Sequence, residues 1–99
     1  MLKHVVAVTL NYAKDDPKVA EFFAEAQRLL TQIPELKSYR HYAVQNWEHC
    51  NYDYGFILEF DSAEGLDAYC KNPYHIEFAE GLWAEAVKSV VDINFIPMD

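Results

Sequence analysis

The chain has few of the features that mark secreted or membrane proteins. Its only cysteines, Cys50 and Cys70, have no motif spacing, so we expect free, reduced thiols. No apolar run approaches the roughly 18–20 residues of a membrane span. The first residues enter a strand at once and lack a secretory pattern. These absences predict a cytoplasmic protein with no membrane partner.

Basic residues are also scarce, with eight Lys and Arg against sixteen Asp and Glu and a net charge of −8. An acidic surface repels phosphates, so nucleic acid is not expected as a partner. Apolar residues are abundant instead: 52% of the chain is hydrophobic and 15% is aromatic. This content excludes a disordered chain. A length of 99 residues predicts one domain, 1–99, whose thin core a partner subunit would complete.

Residue periodicity predicts the order β-α-β-β-α-β. Alternating residues predict strands over 2–12, 36–47, 52–60 and 87–96. Helical spacing, caps and prolines predict a helix from Asp15-Asp16-Pro17 to Ile33 and another after Asp61-Ser62, broken and restarted at Asn72-Pro73. This order is the ferredoxin-like split motif of the α+β class, a four-stranded antiparallel sheet with both helices on one face.

The other face of this sheet is predicted to be apolar and uncovered. Val5, Ala7, Ile57 and Val90 are expected there, and Asp92 alternates onto the face of Val90. Such a patch is unusual on a soluble monomer. A two-fold homodimer that closes two sheets into a barrel would cover it. Asp92 would then bond across the dimer interface or meet trapped water.

Two histidines in apolar surroundings are the main candidates for chemistry. His4 shares a strand face with Val6, and His75 is predicted near the second residue of the helix that Asn72-Pro73 starts. The helix dipole disfavours a positive imidazole there, and a neutral one can accept a proton. One ring would then abstract a proton while the other polarises a carbonyl. Tyr69, six residues before His75, would donate a hydrogen bond to an oxyanion.

Four sets of segments share a spacing along the chain: Lys3-His4-Val5-Val6, Tyr54 through Phe60 with Asp61-Ser62, Tyr69 with Pro73-x-His75, and Val90-Val91-Asp92. Together they resemble the stress-responsive alpha/beta barrel (Dabb, dimeric A/B barrel) family over essentially the whole chain. The resemblance implies a dimeric ferredoxin-like barrel with a pocket between helices and sheet. It also implies a ligand that is small and aromatic or polyketide-like.

The family resemblance extends to three site residues. In a plant polyketide cyclase of the family, two histidines and two tyrosines act on the substrate, and the second histidine is regarded as the base of an aldol-type closure. His4, His75 and Tyr69 match three of these residues. The fourth falls near Ala26, so this chain lacks that tyrosine. The resemblance therefore implies His75, His4 and Tyr69 as catalytic residues.

Two other functions stay open at this point. A non-catalytic stress or structural dimer would have an interior filled by Phe23, Tyr69 and Trp83, with His4 bonded to His75 or Tyr69. A cofactor-free monooxygenase is the other, because Asn46-Trp47 resembles residues of the antibiotic-biosynthesis monooxygenase group.

No cofactor and no metal are expected from the sequence. His41 and the His49-Cys50 pair do not have the spacing of a zinc site. No phosphate loop, nucleophile elbow or dinucleotide fingerprint is present.

Overall fold

The computed structural model describes residues 1–45 and 48–98, and it confirms the predicted order of elements and the α+β class. The strands are β1 (Leu2–Leu10), β2 (Ser38–Ala43), β3 (Tyr54–Phe60) and β4 (Val87–Phe95). The helices are α1 (Pro17–Leu30), α2 (Ala63–Lys71), α3 (Pro73–Phe78) and α4 (Ala84–Ala86), with a π-helical segment, Ala79–Trp83, between the last two. All four strands are shorter than the alternation predicts. No helix in these two ranges is long and apolar enough to cross a membrane.

The predicted caps explain where the helices start. The Asp16 side chain accepts a hydrogen bond from the Lys18 backbone N–H at 2.9 Å, and Pro17 follows as the first residue of α1. Asn72 ends α2 and also caps α3, because its Oδ1 accepts from the Tyr74 N–H at 2.9 Å. α1 ends at Leu30, earlier than the predicted Ile33. Ile33 is nonetheless buried, which explains its place in the apolar pattern.

The sheet is antiparallel with strand order β2-β3-β1-β4. Alternate residues of β1 and β3 are buried beneath the helices, among them Val8, Phe56 and Phe60. Phe22 of α1 is fully buried, and its ring centroid lies 5.5 Å from that of Phe78 in α3. The helices therefore pack on one face of the sheet, and the contact between Phe22 and Phe78 joins α1 to α3 in the core.

The strand register corrects the expected positions of Val90 and Asp92. Val8 of β1 pairs with Val90, and Val6 pairs with Asp92. Directly opposed residues share a face, so Val90 and Asp92 lie on the helix side of the sheet and not on the open face. β4 carries apolar residues on both faces, so its sequence alone did not fix which residues point towards the helices.

The open face is apolar, as predicted, although β4 contributes different residues to it. Val5 is opposed by Ile57 on one side and by Ile93 on the other. In a single chain Ile93 is 47% exposed and Phe95 is 53% exposed. Exposed apolar side chains next to one another on a sheet favour burial against another surface.

Candidate functional site

The three predicted site residues lie around one cavity between the sheet and the helices. This cavity has a volume of about 260 Å³, and His4, Tyr69 and His75 all line it. The rest of its wall is mostly apolar, including Val6, Phe56, Leu58, Phe78, Trp83 and Val90. A purely structural dimer is predicted to fill this space with the side chains of Phe23, Tyr69 and Trp83. The space is instead open, and Tyr69 and Trp83 form part of its wall.

His75 is the third residue of α3, one position later than predicted. Its Nδ1 is buried and has no hydrogen-bond partner among the residues that the structure describes. Burial lowers the pKa of His75, the backbone carbonyl of Cys70 opposes this effect, and the charge of His4 adds to it. The lowered pKa keeps the ring neutral at neutral pH, as a proton acceptor requires.

His4 is held by β4. Its Nδ1 lies 2.6 Å from Oδ1 of Asn94, the residue directly opposite it in the sheet. An amide oxygen only accepts, so Nδ1 donates, and in a neutral imidazole Nε2 then keeps its lone pair. The expected bond from His4 to His75 or Tyr69 is wrong, because Asn94 takes that role. The same tautomer makes His4 an acceptor towards a ligand, not the donor that would polarise a carbonyl.

Replacing Asn94 with alanine should remove the preference of His4 for the Nδ1–H tautomer. We expect nitrogen-15 NMR to show His4 protonated at Nδ1 in the unmodified protein and a mixture of both tautomers in Asn94→Ala. Asn94→Asp should restore the Nδ1–H form, because a carboxylate also accepts. An unchanged His4 spectrum in Asn94→Ala would show that Asn94 does not set the tautomer.

Tyr69 supplies the donor of the site. The residue is 3% exposed, and its ring centroid lies 4.7 Å from that of His75 and 4.9 Å from that of Phe60. Burial raises the pKa of Tyr69 far above its ordinary value, with smaller contributions from Cys70 and Tyr39. Tyr69 therefore stays a phenol, and a phenol can donate a hydrogen bond to a developing oxyanion.

Asp92 and Asn94 are site residues that the sequence analysis missed. Asp92 lines the cavity instead of the open face, and Asn94 orients His4. The available signal was the alternation Val90, Asp92, Asn94 on a strand paired with β1. Reading it required the strand register, which the sequence did not supply.

The remaining candidates lie away from the cavity. The His41 ring of β2 forms a 3.0 Å hydrogen bond with the Tyr39 hydroxyl, and the ring centroid of His41 lies 4.8 Å from that of Phe23. Asn46 and Trp47 fall outside the described residues. In the described part of the chain no three His, Cys, Asp or Glu side chains gather into a group that could hold a metal ion. Cys50 and Cys70 are free thiols, as predicted.

The family model of the stress responsive A/B barrel domain matches residues 2–97, and the chain belongs to this family. A stress-response A/B barrel domain-containing protein of Arabidopsis thaliana is 28% identical over 97 residues. That match covers 94% of this chain and 83% of the plant protein. The family and the fold that the sequence predicted are thus confirmed.

Solved structures show the same fold. A Dabb family protein with a ferredoxin-like fold from Mesorhizobium loti superposes with a TM-score of 0.92 at 23% identity, covering 99% of this chain and 97% of that one. A dimeric ferredoxin-like protein from Thermobifida fusca gives 0.79 at 24% identity, covering 95% and 88%. The hydroxynitrile lyase of Passiflora edulis gives 0.84 at 16% identity, covering 99% and 94%.

Proposed function

We propose that this protein binds a small aromatic or polyketide-like molecule in the cavity and acts on it by histidine-based acid–base chemistry. The convergence of His4, Tyr69 and His75 on one apolar cavity carries this proposal. These residues come from three elements, β1, α2 and α3. A cluster of polar groups in an otherwise apolar pocket is typical of a ligand site.

The size of the cavity supports a small ligand. An apolar cavity of about 150 Å³ is known to admit benzene. The cavity of about 260 Å³ therefore has room for one or two fused rings. Phe78 and Trp83 offer aromatic surfaces to such a ligand.

The three polar side chains divide the proposed chemistry between them. The neutral His75 ring takes a proton from a carbon next to a carbonyl, and the C–H electrons pass into that carbonyl to form an enolate. The Tyr69 phenol donates a hydrogen bond to the enolate oxygen. Nε2 of His4 accepts a hydrogen bond from a ligand hydroxyl. The enolate carbon then attacks a second carbonyl, whose C=O π electrons move to its oxygen, and that oxygen takes the proton from His75. Alternatively, the enolate carbon regains this proton itself.

The protein is also proposed to be a homodimer joined through the open sheet face. Ile93 and Phe95 are large apolar residues that a single chain leaves exposed. A similar fold from Thermobifida fusca is described as dimeric, which supports this assembly. The cavity lies on the helix side of the sheet, so dimerisation through the open face leaves its walls intact.

Histidine titration by NMR tests the proposed site. We expect His75 to titrate below the ordinary histidine pKa of about 6.5, because burial lowers its pKa. Neutral aromatic and β-dicarbonyl compounds should shift the His4 and His75 signals together. Exposed His49 is the internal control and should not move.

Two rival functions predict other results. A purely structural dimer predicts that no compound in the panel moves His4 or His75, and that result would refute the proposal. A cofactor-free monooxygenase predicts oxygen uptake with a quinol, which an oxygen electrode would detect.

A further inference from the structure

We infer that the cavity selects uncharged ligands and discriminates against carboxylates, because Asp92 is the only acidic side chain among its described lining residues and no Lys or Arg offsets it there. This inference rests on the proposed function, since it names the class of molecule that the same cavity binds. No Lys or Arg is among these lining residues. The selected class is a neutral carbonyl compound such as a ketone, an amide or an ester.

The strand register places the Asp92 carboxylate at the cavity. Asp92 is opposite Val6 on the sheet, and both side chains line the same space. Its neighbour two residues on, Asn94, holds His4. Asp92 and His4 are therefore diagonal neighbours on the same face of the sheet. No salt bridge neutralises Asp92 within the described part of the chain.

Asp92 is exposed at the cavity, so water screens its charge, but an unpaired carboxylate beside an apolar wall still repels an anionic ligand that enters. Its negative charge already contributes to the raised pKa of the Cys70 thiol, although burial and Asp67 also act there and burial is the largest cause. A ligand carboxylate would lose its hydration in the cavity and meet this like charge. The overall charge of −8 adds repulsion during the approach of an anion.

The proposed chemistry favours the same selectivity. Removing a proton from carbon creates an enolate, and a neighbouring ligand carboxylate would place two negative charges close together. A neutral ester or amide avoids this second charge. Asp92 would thus disfavour the ionised acids, which form an enolate less readily, relative to their neutral derivatives.

The test compares 2-naphthamide with 2-naphthoate, which have nearly the same shape and differ in charge. Dissociation constants are measured at pH 8 by NMR titration of the full chain, since imidazoles are neutral there. The unmodified protein should bind the amide about three- to tenfold more tightly than the acid. Asp92→Asn should lower this ratio, mainly by strengthening naphthoate binding, and the part that remains reflects the lost hydration of the ligand carboxylate.

Asp15→Asn is the matched control, because it removes the same charge from an exposed residue outside the cavity. We expect it to leave the ratio between the two ligands unchanged. Equal binding of both compounds to the unmodified protein, or a ratio that Asp92→Asn does not change, would overturn the charge selectivity while the proposed ligand site stands. If neither compound binds and no aromatic compound moves His75, the proposed function falls together with this inference.

Discussion

Replacing Ile93 with aspartate is expected to turn the proposed homodimer into a monomer. Ile93 lies beside Val5 on the open face, where a partner sheet would bury it. Two-fold symmetry would place the new charge in the interface twice. Burying each unpaired charge costs several kcal/mol, so we expect dimerisation to weaken by at least about 3 kcal/mol, or about a hundredfold in dissociation constant. Analytical ultracentrifugation over a range of concentrations measures this change.

Val90→Asp is the matched control for this experiment. Val90 and Ile93 lie on the same strand and are both 47% exposed in the single chain, but they face opposite sides of the sheet. Val90→Asp should remain dimeric and should weaken the binding of apolar ligands, because Val90 lines the cavity. If both variants dissociate equally, the interface is not confined to the open face. If Ile93→Asp stays dimeric, the proposed interface is wrong.

Replacing His75 with leucine should raise stability and abolish the proposed function. The buried Nδ1 of His75 makes no well-formed hydrogen bond in the described structure, although the Cys70 backbone carbonyl acts on the same ring, and a fully unsatisfied buried group costs about 1–3 kcal/mol. Leucine is similar in size, fits the apolar wall and removes this cost. We expect urea denaturation to show a gain of about 1 kcal/mol, because the ring is only partly buried. Any turnover should fall by about 10²- to 10⁴-fold, as for loss of a general base.

His41→Leu provides the contrast. The Tyr39 hydroxyl forms a 3.0 Å hydrogen bond with the His41 ring. Losing this bond should lower the free energy of unfolding by about 0.5–1.5 kcal/mol. It should also leave the ligand response of His4 and His75 unchanged. A loss of stability in His75→Leu with an unaltered ligand response would show that His75 serves the fold alone. A gain in stability with loss of the response would show that the fold tolerates an unpaired polar group because the site uses it.

The sequence determined the order of elements and the outline of the site. Caps such as Asp16 and Asn72 act within two or three residues of their own position, so their effect can be predicted without tertiary structure. The alternation along β1 likewise places His4 with Val6 on the buried face. The segment that starts at Asn72-Pro73 fixes His75 to within one residue of its position in the helix.

Only the tertiary structure decided which residues of β4 join the site. A one-residue change of register exchanges the faces of a strand, and β4 is apolar on both faces, so the sequence pattern predicts the wrong face for Val90 and Asp92. Pairing with β1 brings Asn94 to His4 across 90 positions of sequence. The unsatisfied nitrogen of His75 and the open volume beside it also depend on how α3 packs over the sheet. Local sequence patterns specify neighbours along the chain, whereas cavities and cross-strand partners arise from packing between distant segments.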